Sequence, residues 1–272
     1  MKLTNEALIK SIRETGGYET PSERISAHPA KLGGLSSLRY ASTILGVVVR
    51  CVWRFLIGNF RYCDWQRNTF RTIAFAEEVG SRISIQGFEN LTANKGPFVY
   101  VMNHMSTLET MIAPSLLIPF GPVAIVLKKS LDEMPFVGKA ARAVGSIAVS
   151  RTNAREDLKT VLTEGVNRLK EGKSVLLYPQ GTRQAVFDPK KFNSLGAKLA
   201  ERAGVPLVPI AVRTDILQTG KLIRDFGQVD PSRPLCVRCG APIPISLGAR
   251  TMHRKSVDFI YSTLKEWGLP TL

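Results

Sequence analysis

The sequence predicts an α/β fold, a mostly parallel or mixed sheet flanked by helices and preceded by an amphipathic helical segment. Three observations carry that expectation. Seven short β-rich runs lie beyond Arg82, at 83–85, 98–102, 123–127, 146–149, 175–178, 207–212 and 235–239. Helical patterns separate several of them, the clearest over 154–170, with Asn153 placed to cap its start and Gly172 to stop it. A second covers 194–202 and ends before Gly204, and no internal repeat is visible. With 44% hydrophobic and 22% charged residues, the 272-residue chain can bury a sizeable core. The expected division is a loosely ordered lead over 1–34, an amphipathic helical region over 35–78 and an α/β domain over 79–272.

Taken in order, residues 1–34 are polar, contain Gly16-Gly17 and Gly33-Gly34, and lack the apolar stretch of a signal peptide. The chain then turns apolar and basic as far as Phe75, where Lys31, Arg39, Arg50, Arg54, Arg61, Arg67 and Arg71 face a single acid, Asp64. Its longest uncharged run, 40–49, is half of the roughly 20 residues that a spanning helix needs, so a membrane span is not expected. At about 100° per residue, Arg39, Arg50, Arg54 and Arg61 share a sector of about 60°, opposite Ile44, Leu45, Val48, Val52, Phe55 and Leu56. Such a helix suits the bilayer interface, with Trp53, Phe60 and Trp65 on its flanks, and it equally suits packing on the protein's own core with arginines in water. The scarcity of acids on the polar side favours the membrane.

Lys and Arg outnumber Asp and Glu by 37 to 22, a formal charge of +15, which favours an anionic partner. Lipid headgroups, phosphorylated substrates and an acidic carrier protein all qualify. An aromatic content of 8% without a reader motif argues against nucleic acid. Cys51, Cys63, Cys236 and Cys239 are too sparse for a disulfide framework. The close pair Cys236 and Cys239 lacks a second pair of ligands, with His253 the one histidine downstream. No metal is expected there, and Leu235, Val237 and Cys239 alternate with Cys236 and Arg238 along a strand.

Candidate chemistry gathers at strand ends. Asn103-His104-Met105-Ser106-Thr107-Leu108-Glu109 follows the run 98–102, placing His104 where open α/β sheets bind ligands. Ser106 and Glu109 have capping-box spacing, so Glu109 has a structural use in bonding the helix start. Its chemical use would be to hold one ring nitrogen of His104 and stabilise the imidazolium formed when the other takes a proton. Tyr178-Pro179-Gln180-Gly181-Thr182-Arg183 ends another strand, Gly181 permitting a tight turn and Arg183 offering a planar fork to a phosphate. Gly145-Ser146-Ile147-Ala148-Val149-Ser150-Arg151 brings a second guanidinium to the same edge.

Those three segments, followed by Val205-Pro206-Leu207-Val208-Pro209-Ile210, resemble the four ordered motifs of the glycerolipid acyltransferase family, close to its 1-acylglycerol-3-phosphate acyltransferases. The likeness spans roughly residues 80 to 245, and Lys128-Lys129-Ser130-Leu131, Pro135, Gly138 and Gly240-Ala241-Pro242-Ile243 fit its connecting pattern. It implies that His104 is a general base and Glu109 its carboxylate partner. Lys128, Arg151, Gly181, Thr182 and Arg183 would then bind substrate, chiefly the acceptor's phosphate. The activity implied is transfer of a fatty acyl group from acyl carrier protein or coenzyme A to the hydroxyl of a lysolipid, giving phosphatidic acid if the acceptor is 1-acylglycerol-3-phosphate. No cofactor beyond the thioester co-substrate is implied, and the expected location is peripheral or monotopic on the cytoplasmic face of a membrane. With no G-x-S-x-G elbow and no cysteine in a motif, direct transfer is favoured over an acyl-enzyme.

Two positions depart from the family pattern: Glu109 stands for the usual Asp, and Gln180 for the usual Glu, which removes a charge beside Arg183. The second departure keeps open another acceptor, such as a lyso-ornithine lipid or a different lysophospholipid. A basic lipid-binding module without catalysis is the reading from a different class, opposed by the retained His and acid.

Overall fold

The computed structural model describes residues 2–24, 34–135, 137–218, 220 and 227–272. Its helices are α1 (Asn5–Glu14), α2 (Gly34–Leu56), α3 (Tyr62–Glu78), α4 (Glu89–Thr92), α5 (Leu108–Leu117), α6 (Lys129–Asp132), α7 (Val137–Ala143), α8 (Ala154–Lys170), α9 (Leu195–Ala203) and α10 (Gly248–Glu266). The strands are β1 (Tyr18–Glu19), β2 (Ile83–Gln86), β3 (Val99–Met102), β4 (Val123–Lys128), β5 (Ile147–Val149), β6 (Ser174–Leu177), β7 (Leu207–Arg213) and β8 (Leu235–Cys239). They form one sheet in the order β1-β2-β8-β7-β3-β6-β4-β5. The block β7-β3-β6-β4-β5 is parallel throughout, and β2 with β8 is parallel too. The β1–β2 and β7–β8 pairs are antiparallel, so the sheet is mixed.

Side chains alternate across this sheet into two cores. Phe98, Tyr100 and Met102 turn to one face with Leu176, Val208 and Ile210, where α1, α2, α3 and α5 cover them. Val99 and Val101 turn to the other with Val175, Leu177 and Leu207, under α8, α9 and α10. Because both faces are covered, the central strands read as unbroken apolar runs rather than alternating ones. Each fully buried aliphatic or aromatic side chain contributes roughly 1.5–3 kcal/mol. Gly196 lets α9 lie directly on β3, since a Cβ there would stand 2.3 Å from Cγ1 of Val101.

The α8 boundaries match the sequence pattern, and Oδ1 of Asn153 accepts the amides of Arg155 and Glu156 at 3.2 Å each. Helix α9 ends at Gly204, whose φ of 71° is left-handed. Cys236 and Cys239 are buried strand residues of β8.

The lead departs from expectation. Leu8 and Ile12, one turn apart on α1, are fully buried, the Thr4 hydroxyl caps the helix by accepting the amide of Ala7, and Tyr18 pairs with Ile85 in the sheet. A polar composition concealed the few apolar residues needed for one packed face. Residues 25–33 of the expected lead, Lys31 among them, lie outside the described residues.

The amphipathic helix expected to carry Arg39, Arg50, Arg54 and Arg61 also differs. It ends at Leu56, and Arg61 instead precedes α3, where Asp64 accepts its amide. The apolar face expected as one is split in two. Tyr40, Ile44, Val47 and Cys51 are buried toward the core, with Val48 and Phe55 half-buried, while Leu38, Leu45, Val49, Trp53 and Leu56 form a stripe more than half exposed. Arg39 pairs with Glu78 at 3.5 Å and Arg54 with Asp64 at 3.7 Å, so two of the four arginines of the expected polar face meet acids of α3. No helix among the described residues is long and apolar enough to cross a membrane.

Candidate active site

The parallel block carries every candidate group to one edge, because each follows the C-terminal end of its strand. In spatial order these are Thr214 after β7, His104 after β3, the 178–183 turn after β6, Lys128 at the end of β4 and Arg151 after β5. Chain neighbours along the sheet are thus not sequence neighbours, and residues up to 110 positions apart converge.

His104 and Glu109 meet as expected. Nδ1 of His104 lies 2.7 Å from Oε1 of Glu109, with His104 nearly buried and Glu109 entirely so. The capping role holds at the same time: Oε1 also accepts the amides of Met105 at 2.6 Å and Ser106 at 2.8 Å. Oε2 accepts the hydroxyls of Ser106 at 2.8 Å and Thr214 at 2.6 Å. Burial pushes the Glu109 carboxyl up, and the hydrogen bond and charge of His104 with the Thr214 bond outweigh it, holding the group below its ordinary value. The carboxylate therefore stays ionised against the imidazole. No hydrogen bond to Nε2 occurs among the described residues.

Three contacts hold the imidazole's backbone and ring. The His104 amide donates to Oε1 of buried Gln180 at 2.6 Å, and its carbonyl accepts the Gln184 amide at 2.9 Å. The Tyr178 ring lies against the imidazole, centroids 4.6 Å apart. Burial, then the Glu109 charge, keeps the Tyr178 phenol well above its ordinary range, so it remains neutral.

In the 178–183 turn, Gly181 takes a φ of 70° and its amide closes on the Tyr178 carbonyl at 2.9 Å. Thr182 is exposed, and Nη1 of Arg183 donates to Oγ1 of Thr107 at 2.6 Å, tying the turn to the start of α5. Arg151 is the one described non-glycine residue with positive φ, at 63°. Its amide is pinned by Oδ2 of Asp157 at 2.7 Å, while Oδ1 takes both the amide and hydroxyl of Ser150. Burial, then the nearby Arg183 charge, lowers the Arg151 guanidinium's pKa, so two cations stand within electrostatic reach of each other. Such a pair favours an anion between them. Lys128 is exposed two strands from β3, roughly 10 Å by strand spacing, with no bond to His104 or Glu109 among the described residues.

Sequence reasoning missed Thr214 and the use of Gln180. The signal for Thr214 was a lone hydroxyl closing the apolar run Leu207–Arg213, level with the other strand ends.

The sequence model of the acyltransferase family matches residues 82–213. Among curated proteins, a 1-acyl-sn-glycerol-3-phosphate acyltransferase of Pseudomonas aeruginosa is 35% identical over 163 residues, 60% of this chain and 58% of that protein. The Escherichia coli protein of the same name is 31% identical over 120 residues, covering 44% and 48%. The chain thus spans about half the length of these curated relatives. The crystal structure of a 1-acyl-sn-glycerophosphate acyltransferase from Thermotoga maritima superposes with a TM-score of 0.64 at 17% identity, over 86% of this chain and 95% of that one, and so shares the fold.

Proposed function

We propose that the chain is a glycerolipid acyltransferase, a reading supported by the acyltransferase match over residues 82–213 and the 35% identical relative, and that it transfers a fatty acyl group from a thioester to the free hydroxyl of 1-acylglycerol-3-phosphate. The observation that carries this reading is the His104–Glu109 pair with Nε2 open at the edge where Arg151 and Arg183 gather. With the phosphate held between the guanidiniums, the acceptor hydroxyl meets His104. Nε2 takes the hydroxyl proton as the oxygen attacks the thioester carbonyl carbon. The tetrahedral intermediate then collapses, the C–S bond breaks, and the imidazolium returns its proton to the departing sulfur. Products are the new ester and the carrier thiol, phosphopantetheine of an acyl carrier protein or of coenzyme A. Glu109, ionised and five-fold hydrogen-bonded, stabilises the imidazolium between these steps.

Gln180 bears on the acceptor. Its carbonyl oxygen is engaged by the His104 amide, so its neutrality weighs on the base more than on the phosphate grip, which supports the phosphorylated acceptor over a lyso-ornithine lipid. Docking on a bilayer is part of the same reading, supported by the exposed stripe of α2, because acceptor and product are both lipids.

The test is to incubate purified protein with each of several lysolipids, lyso-ornithine lipid included, and with both acyl carriers, and to identify products by mass. Phosphatidic acid is expected, with turnover lowered roughly 10²- to 10⁴-fold in His104→Ala while the fold persists. Near-wild-type turnover in that variant would overturn the assignment of the base.

A further inference from the structure

Thr214 directly follows β7, is fully buried, and stands 105 residues from the carboxylate it touches. A carboxylate turns easily about its last side-chain bond, so the bonds to its oxygens fix its plane. Four of the five donors to Glu109 come from residues 104–106, in its own turn, and move with it. Thr214 alone reaches it from another strand. The side chain of Asn103 also bridges the ends of β3 and β7, accepting the Val212 amide at 2.8 Å and donating to its carbonyl at 2.9 Å, so Thr214 sits at a fixed place beside the base.

We infer that Thr214 is a positioning residue: its hydroxyl holds Oε2 of Glu109 on the sheet side and so keeps Oε1 aimed at Nδ1 of His104. The kinetic consequence rests on the acyl-transfer reading, whereas the geometric one does not. Glu109 is long enough to hold both partners. An aspartate at this position, one methylene shorter, would give up Thr214 in order to keep His104.

The experiment compares Thr214→Val, which removes the hydroxyl at nearly constant shape, with Thr214→Ser, which keeps it, in the full chain and in a Glu109→Asp background. Thr214→Val should lower kcat roughly 10- to 100-fold, as expected for losing a hydrogen bond to a charged group. Both substrates' KM should be unchanged, and Thr214→Ser should retain most of the rate. In the Glu109→Asp background Thr214→Val should cost little more, a non-additivity that a purely structural threonine would not produce. Independently of activity, proton NMR should show a downfield Nδ1–H resonance of His104 in wild type and Thr214→Ser, broadened by exchange in Thr214→Val. With three histidines in the chain, His104→Ala assigns it. If Thr214→Val fails to fold, Thr214→Ala against Thr214→Ser makes the same comparison. Unchanged kcat with an unchanged resonance, or additive losses, overturns the inference. A resonance that follows the hydroxyl in a chain lacking transferase activity would uphold the positioning and reject the acyl-transfer reading.

Discussion

Oε1 of Gln180 accepts the backbone amide of His104 at 2.6 Å, so the β6 turn sets the height of the imidazole above the sheet. Removing that acceptor leaves a buried donor unsatisfied, at a cost of about 1–3 kcal/mol. Gln180→Leu should therefore lower the melting temperature and kcat together, as read by calorimetry and steady-state kinetics. A variant that loses neither would show that the amide finds another partner.

Glu109→Gln should reduce both rate and stability, because one carboxylate serves the helix start and the His104 imidazole. The carboxyl is held below its ordinary value of 4.5. Its contribution is present above that unfolded-state value and is lost as pH falls through the lowered folded one. The stability gap between wild type and variant should thus be widest near neutrality and narrow below about pH 4.5. Denaturant melts across that range give the profile, and a gap that widens in acid would contradict the assigned charge state.

Arg183→Ala and Arg151→Ala should raise KM for the acceptor far more than for the thioester. Arg151 adds a second readout, since its φ of 63° is strained for a side chain with Cβ. Arg151→Gly should bind the acceptor as poorly as Arg151→Ala yet be more stable than it by about 1 kcal/mol. Equal stabilities would mean that Asp157 absorbs the strain.

The two faces of α2 separate stability from membrane affinity. Leu45→Asp with Val49→Asp changes the exposed stripe and should weaken sedimentation with vesicles containing anionic lipid while sparing the melting temperature. Ile44→Asp, one residue away on the buried face, should unfold the chain. Vesicle binding unaffected by the double change would return the stripe to some other use.

Legibility in the sequence followed the range of the interaction. The seven β-rich runs and the caps at Asn153 and Gly204 depend on neighbours within a turn, and they form where local pattern placed them. His104 and Glu109 were legible because five residues separate them. Thr214 leaves no local trace of its partner, being joined to Glu109 only through the strand order. The α2 error had a different origin: one helix with two apolar sides yields a single averaged direction, which lies between them.

The strand order has a cost during synthesis. β3 is flanked by β6 and β7, both made later, so the run Phe98 to Met102 leaves the ribosome with neither neighbour in existence. At 5–20 residues per second, the about 100 residues up to the end of β7 take roughly 5–20 s. Throughout that interval an apolar strand keeps two open edges, the arrangement that invites pairing with other chains until β6 and β7 arrive.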